Sequence, residues 1–415
     1  MAPSIIHEFQ WLISSEADAL LLLAQKDFLA HTSPLKIAKR LRTSTTPTRA
    51  AMIMEQAQLR IRAKPKFALA DQMFFTQRGL EQSSGIGLSR YKAIQFSGHE
   101  SVLDVCCGIG GDLLGLASRA PSNGSLITTG IDNDSITALF AKHNLQQHMQ
   151  VNQIQHSAAT VLDCEFAAVD LNEFSGIHLD PDRRKGRRAT DGRHFSPNLT
   201  DVFSRVTDGQ LVAIKVAPAT PVEDSFPAEL HRQWLGDRRE CKQQVLWLGA
   251  NFPPNQRSAS LVLDDGSSHD IRCDGLTDIE RVVAPSLKRY LYEPHAVVLA
   301  AKLADHLAVK HGLERICHSI PYFLSDKPVD EPLLQGFEVV EMLKLDFKTV
   351  HRFLVDKDIG EFELKQRGID NVTFERFRKL KLTGNKKATL FLTRYGSAQK
   401  RRAIVATRLP DGFAG

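Results

Sequence analysis

The stretch Ser101-Val-Leu-Asp-Val-Cys-Cys-Gly-Ile-Gly-Gly-Asp112 decides how the chain reads. An apolar, β-prone run carries a carboxylate, Asp104, and breaks at Gly108, Gly110 and Gly111; Leu113 to Ala117 then resumes with helical spacing. Strand, tight turn and helix follow from that pattern. Such a unit binds a nucleotide-like cofactor, and Asp104 narrows the choice. A dinucleotide fingerprint of the G-x-G-x-x-G type needs a third glycine for helix packing and no negative charge beside its pyrophosphate. Here the three-residue step from Gly110 lands on Leu113, and the Asp104 carboxylate would repel phosphates.

Working outward, strand and helix alternate. Leu126 to Asp132 reads as a strand, Ser135 to Leu145 as a helix, and Val151 to about Gln155, Gly176 to Asp180 and Gln210 to Val216 as strands. This rhythm predicts a parallel sheet covered by helices on both faces. Glu240 to Gly249 and Arg257 to Asp264 follow with no helix between them, as a closing hairpin would. Upstream, residues 1–95 read as a helical domain, with Ser15 placed to cap Glu16 to Lys26 and Thr46-Pro47 opening a helix to about Arg62. The segments Phe74 to Gln82 and Ser89 to Phe96 mix aromatic and polar residues, which suits either a connecting helix with core aromatics or a flap over the cofactor. Downstream of the core (96–275), a connecting segment (276–335) is expected to hold a long helix from Pro294 to Lys310 and an irregular stretch from Pro321 to Pro332. Residues 336–415 then read β-α-β-α-β-β, a small α+β domain.

At 415 residues and 42% hydrophobic composition the chain can fill two or three cores. A net charge of +5 permits a polyanionic partner without requiring one. No stretch is long and apolar enough to span a bilayer and no leader is evident, so a cytoplasmic protein is expected. The six cysteines include no pair at zinc-knuckle spacing, so neither a disulfide framework nor a metal site is expected.

S-adenosylmethionine carries no phosphate. Its amino group and sulfonium are cationic, which suits Asp104, while Gly108 and Gly110 let the backbone approach its methionine portion. Asp132, closing the next strand in Gly130-Ile-Asp-Asn-Asp134, is placed to accept both ribose hydroxyls. With these four residues in view, the sequence resembles the class I S-adenosylmethionine-dependent methyltransferases. Asp-Val-Cys-Cys-Gly-Ile-Gly-Gly-Asp112 is similar to the version of their first motif found in RNA-directed members such as the trimethylguanosine synthase group. A bacterial subfamily whose methyltransferase core carries a THUMP-like C-terminal domain is closer still. Its pattern resembles Phe75-Thr-Gln-Arg-Gly-Leu-Glu-Gln82, Asp180-Pro-Asp-Arg-Arg184, Lys215-Val-Ala-Pro218, Tyr292-Glu-Pro294 and Ala388 to Arg394. The resemblance implies an α/β, Rossmann-like methyltransferase fold with a seven-stranded, mostly parallel sheet, flanked by the N-terminal helices and a C-terminal α+β THUMP-like domain.

Asp180-Pro181 stands where amino-methylating members carry Asp/Asn-Pro-Pro-aromatic. A side-chain oxygen of Asp180 and the Pro181 carbonyl are suited to accept the protons of an exocyclic amine and aim its lone pair. Asp182 and Arg183 replace the second proline and the stacking aromatic, leaving Phe74, Phe75 or Phe195 to stack on a base. A covalent pyrimidine mechanism needs a nucleophilic cysteine; neither Asp180-Pro-Asp-Arg-Arg184 nor Lys215-Val-Ala-Pro218 has one, and Cys106 and Cys107, in the cofactor strand and turn, read as buried small hydrophobes. Arg183-Arg-Lys-Gly-Arg-Arg188 places Arg183, Arg184, Arg187 and Arg188 where substrates arrive, able to clamp phosphates. Lys365, Arg367, Arg376, Arg378, Lys379, Lys381, Lys386, Lys387, Arg394, Lys400, Arg401 and Arg402 form a second basic cluster. The expectation is methyl transfer to a base nitrogen of structured RNA, tRNA or rRNA. The alternatives are a protein or small-molecule methyltransferase, and a non-catalytic RNA-binding protein on the same fold.

Overall fold

The computed structural model describes residues 3–121, 125–183, 195–221, 226–249, 251–273 and 279–410, with residues 3, 4 and 183 as backbone only. It divides into two compact units, residues 1–237, 242–255 and 262–268, and residues 238–241, 256–261 and 269–415.

The first unit begins with helices α1 (Pro3–Leu12), α2 (Ser15–Leu29), α3 (Pro34–Leu41), α4 (Pro47–Ala63), α5 (Gln77–Gln82) and α6 (Ile86–Gln95). Thr46 caps α4, its hydroxyl accepting from Arg49 N at 3.3 Å. Ser15 does not cap α2: the helix already includes it, and Ser14 in the cap position turns its hydroxyl back to Trp11 O instead. Then follow β1 (Ser101–Val105), α7 (Leu113–Ala117), β2 (Leu126–Asp132), α8 (Ser135–Val151), β3 (Ser157–Asp163), β4 (Gly176–Leu179), a two-stranded ribbon of β5 (Asp182–Arg183) and β6 (Phe195–Ser196), α9 (Leu199–Arg205), β7 (Leu211–Val216), β8 (His231–Asp237) and β9 (Glu240–Leu248). In sequence β10 (Arg257–Val262) and β11 (Ser268–Cys273) come next, each divided between the units.

The strand order β8-β9-β7-β4-β1-β2-β3 occupies seven consecutive positions of a nine-stranded sheet, so the sheet exceeds the seven strands expected. Pairings from β7 through β3 are parallel, and β7 meets β9 antiparallel. Two further expectations change. Val151 closes α8 and does not open a strand, and β3 starts only at Ser157; as the edge strand it leaves Ala158, Thr160 and Leu162 exposed, so no apolar run marks it. Besides β7, the neighbour of β9 is β8, a strand the sequence did not disclose, and not β10. His231 to Asp237 mixes polar and apolar residues without alternation, yet buries most of its side chains.

The second unit holds β12 (Tyr290–Pro294), α10 (Ala296–Ala300), α11 (Ala304–Lys310), β13 (Glu314–Cys317), β14 (Ile320–Ser325), β15 (Leu334–Lys344), α12 (Phe347–Asp356), β16 (Ile359–Gln366), α13 (Asn371–Arg378), β17 (Lys386–Tyr395) and β18 (Lys400–Arg408). The last six elements keep the β-α-β-α-β-β order. The helix expected over 294–310 is two short ones, because Lys302 takes a left-handed φ of 60° between them. The stretch read as irregular contains β14, and β12 to β14 join one sheet ordered β13-β14-β12-β15-β18-β17-β16. Alternation divides its core: Leu390 and Leu392 pack with α12 and α13, while Phe391 faces Tyr322 and Phe337.

Candidate active site

Strand ends and a flanking segment meet at one cavity of about 1050 Å³ in the first unit. The register brings them together. Val105 pairs with Ile131 on one side and Leu179 on the other, so β1, β2 and β4 end level, with Asp132 and Asp180 at the same edge. Open parallel sheets bind ligands at this edge. The cavity is lined by Asp104, Gly108, Asp132, Asp180 and Pro181, so five of the six predicted cofactor and catalytic residues come together. Gly110 is set back, its position for a Cβ lying 3.9 Å from Ala141 of α8, and it serves the turn and not the wall. Gly108 and Gly110 have φ of 57° and 94°, which a residue with a Cβ adopts poorly. Asn144 fixes the turn from α8: Nδ2 donates to Ile109 O and Phe74 O at 3.0 and 2.9 Å, and Oδ1 accepts from Phe74 N at 2.8 Å.

Asp104 is 1% exposed, and burial pushes its carboxyl up. Oδ1 accepts from His178 Nδ1 at 2.6 Å, while Oδ2, although buried, has no hydrogen-bond partner among the described residues. An orphaned carboxylate oxygen bordering a cavity fits the cationic amino group of S-adenosylmethionine. Asp132 accepts from Gly108 N and Asp134 N, both at 3.0 Å, and each oxygen keeps a lone pair for a ribose hydroxyl.

Joined to this wall is a buried charge network that the sequence reading missed, of which Ser84 and Asp112 line the cavity. His178 Nε2 faces Lys92 Nζ at 3.3 Å, and Lys92 pairs with Asp112 Oδ1 at 2.6 Å. Ser84 donates to Asp112 Oδ2 at 2.8 Å. Burial alone would raise the Asp112 carboxyl, but Lys92, His178 and Lys215 together hold it well below the usual carboxylate range. A histidine and a lysine at apolar-looking positions of β4 and α6 were the available signals. Nothing in the linear sequence linked them to carboxylates 74 and 20 residues away.

Asp180 Oδ2 lies 2.5 Å from Lys215 Nζ, which also donates to Gln82 O at 2.9 Å. Asp182 bonds Arg78 at 2.7 Å, so the residue replacing the second proline fastens Asp180-Pro-Asp182 to the segment before the glycine turn. That segment, Thr76 to Ser84, lines the cavity, whereas Phe74 and Phe75 are core residues and do not reach it. Of the three aromatics considered for stacking only Phe195 borders the cavity. The later start of β3, which ends at Asp163, also places Cys164, Glu165 and Phe166 beside the cavity. Burial, with the Asp132, Asp180, Asp182 and Asp104 carboxylates, pushes the Cys106 thiol far up, so it does not supply a thiolate nucleophile. Arg184, Arg187, Arg188 and the side chain of Arg183 lie outside the described residues.

In the second unit the basic cluster is partly neutralised. Lys365 and Arg367 pair with Glu293, Arg378 with Glu375, Lys387 with Glu361 and Arg401 with Asp370. Arg376, Lys379 and Lys381 line a shallow hollow with Phe347 and the exposed Val372, and the Arg376 guanidinium lies 4.4 Å over the Phe347 ring.

Residues 334–408 match the family described as THUMP domain-like. Two uncharacterized S-adenosylmethionine-dependent methyltransferases of Mycobacterium tuberculosis, from strains CDC 1551 and H37Rv, are each 27% identical over 364 residues, covering 84% of this chain and 94% of theirs. A crystal structure of a candidate methyltransferase from Porphyromonas gingivalis W83 superposes with a TM-score of 0.72 at 18% identity, over 88% of this chain and 92% of that one, and shares the fold. Fold, site and relatives define an S-adenosylmethionine-dependent methyltransferase. This particular one carries a THUMP-like domain at its C-terminal end. Among the described residues no helix is long and apolar enough to cross a membrane.

Proposed function

We propose that the protein methylates a nitrogen of a base in structured RNA, tRNA or rRNA. The observation carrying the reading is Asp180: its carboxylate stands at the cavity edge beside the Pro181 carbonyl, in the same cavity as the unpartnered Asp104 oxygen. When bound, the cofactor supplies a methyl group already activated by its sulfonium. The chain then has to bind, orient and exclude water. Asp104 Oδ2 takes the methionine amino group, Asp132 the ribose hydroxyls, and Glu165 with Phe166 the adenine. Asp180 and the Pro181 carbonyl accept the acceptor amine's protons, so its lone pair faces the methyl group. Phosphates are left to the arginines of 183–188 and to Arg376, Lys379 and Lys381, with the Phe347 hollow suited to an unpaired base.

A protein amine is the second reading. It is favoured by the acidic lining, where Glu81, Asp134, Glu165 and Asp182 outnumber Arg78 and Lys242. Incubation with labelled cofactor and RNA from cells lacking the gene separates the two. Label is expected in RNA and lost in Asp180→Ala, with cofactor affinity unchanged. Label confined to protein or small molecules refutes the RNA assignment.

A further inference from the structure

Lys215 has no role in the reading above, yet its placement is specific. Leu179 pairs with Ile214 in parallel register, so Asp180 and Lys215 follow on adjacent strands. Its side chain is 12% exposed and its ammonium makes two short contacts, to Asp180 Oδ2 at 2.5 Å and to Gln82 O at 2.9 Å. Burial opposes the charge, but the carboxylates of Asp180, Asp112 and Asp104 outweigh it and raise the lysine's affinity for its proton. Gln82 closes α5, whose Arg78 holds Asp182 at 2.7 Å. The strand end Asp180-Pro-Asp182 is therefore tied twice to one short helix of the cavity wall, and Lys215 makes the inner tie.

We propose that Lys215 is a positioning residue for methyl transfer: by engaging Asp180 Oδ2 and the Gln82 carbonyl together, it reserves Asp180 Oδ1 for the acceptor nitrogen and fixes the 76–84 wall against it. The proposal rests on the reading that Asp180 receives the acceptor. Lys215 touches neither cofactor nor acceptor in this scheme. Its loss should lower kcat without weakening cofactor binding, since orientation is worth far more in the transfer step than in the bound state.

The test compares full-length wild type, Lys215→Met, Lys215→Arg and Asp180→Ala. In Lys215→Met, kcat on RNA is expected to fall about 10- to 100-fold, while the cofactor Kd stays within about twofold by calorimetry. Lys215→Arg, which can still bridge carboxylate and carbonyl, recovers most of the loss. Combining Lys215→Met with Asp180→Ala adds little to Asp180→Ala alone, because both act through one carboxylate. Amide exchange in residues 77–84 accelerates in Lys215→Met, measured on the protein without RNA. Unchanged kcat in Lys215→Met overturns the proposal, as does a parallel fall of kcat, cofactor affinity and melting temperature that Lys215→Arg fails to rescue. If wild type transfers no methyl to RNA, the substrate reading fails by itself. Exchange at 77–84 then decides the lysine tie: acceleration supports it and an unchanged rate overturns it.

Discussion

Replacing Asp104 with Asn removes one negative charge from the cavity wall and almost no volume. The substituted amide oxygen can still accept from His178 Nδ1, now at 2.6 Å from Asp104 Oδ1, so the buried bond survives. What disappears is the charge at Oδ2, the buried oxygen with no hydrogen-bond partner among the described residues. A hydrogen bond to a charged group contributes about 1.5–3 kcal/mol, and each 1.4 kcal/mol is about tenfold in affinity. The Kd for S-adenosylmethionine should therefore rise about 10- to 100-fold. Stability should move the other way. The carboxyl is 1% exposed and its burial disfavours the charged form, so neutralising it holds or raises the melting temperature. Titration calorimetry with S-adenosylmethionine and S-adenosylhomocysteine, together with thermal melts, reads both quantities. Both ligands carry the same amino group and should lose affinity alike. A Kd within twofold of wild type would refute the assignment of Oδ2 to the cofactor amino group. A loss of affinity with a lower melting temperature would assign Asp104 to the fold instead.

Two further substitutions test the buried charges. Lys92→Met strands the Asp112 carboxylate and should cost about 3–5 kcal/mol in chemical denaturation. Because Asp112 is held below its unfolded value of about 3.9, its stabilising effect is full above that pH and is lost as pH falls through the folded value. The gap between wild type and Lys92→Met should accordingly narrow below about pH 4, and a gap constant from pH 7 to 3 contradicts the pairing. Arg119 is 4% exposed, and among the described residues none of its three guanidinium nitrogens has a hydrogen-bond partner; burial lowers its pKa to about 10. Arg119→Met should stabilise the protein by about 1–3 kcal/mol, and a lower melting temperature would show that the guanidinium contributes to the fold.

The site's front edge was legible because it is local. Asp104, Gly108 and Gly110 fall within seven residues, and glycine at positive φ and a carboxylate at a strand end are visible in the letters themselves. The motif resemblance singled out Asp180-Pro-Asp182, Phe75 to Gln82 and Lys215 to Pro218, yet not that they touch. Contacts such as Arg78 to Asp182, or Lys215 to both Asp180 and Gln82, depend on the register of β4 with β7 and on where α5 lies beside them, all far apart in sequence. Strand 3 failed for a different reason. At an edge, half its side chains meet solvent, so Ser157-Ala-Ala-Thr160 carries no apolar signal, while the polar last turns of the helix before it hide that the helix runs on to Val151. That displacement hid Glu165 and Phe166. The charged interior was least legible, because a buried lysine or histidine is spelled like an exposed one. Lys92 differs from a surface lysine only through Asp112, Ser84 and His178, and all of these come from other elements. The motifs of this chain thus mark residues that touch ligands, whereas the residues holding those motifs in place are defined by pairing across the sheet. Substitutions at His178 and Lys215 should therefore impair methyl transfer through Asp104 and Asp180, which they contact, and a substitution at Lys92 should do so through His178, without these residues themselves meeting cofactor or acceptor.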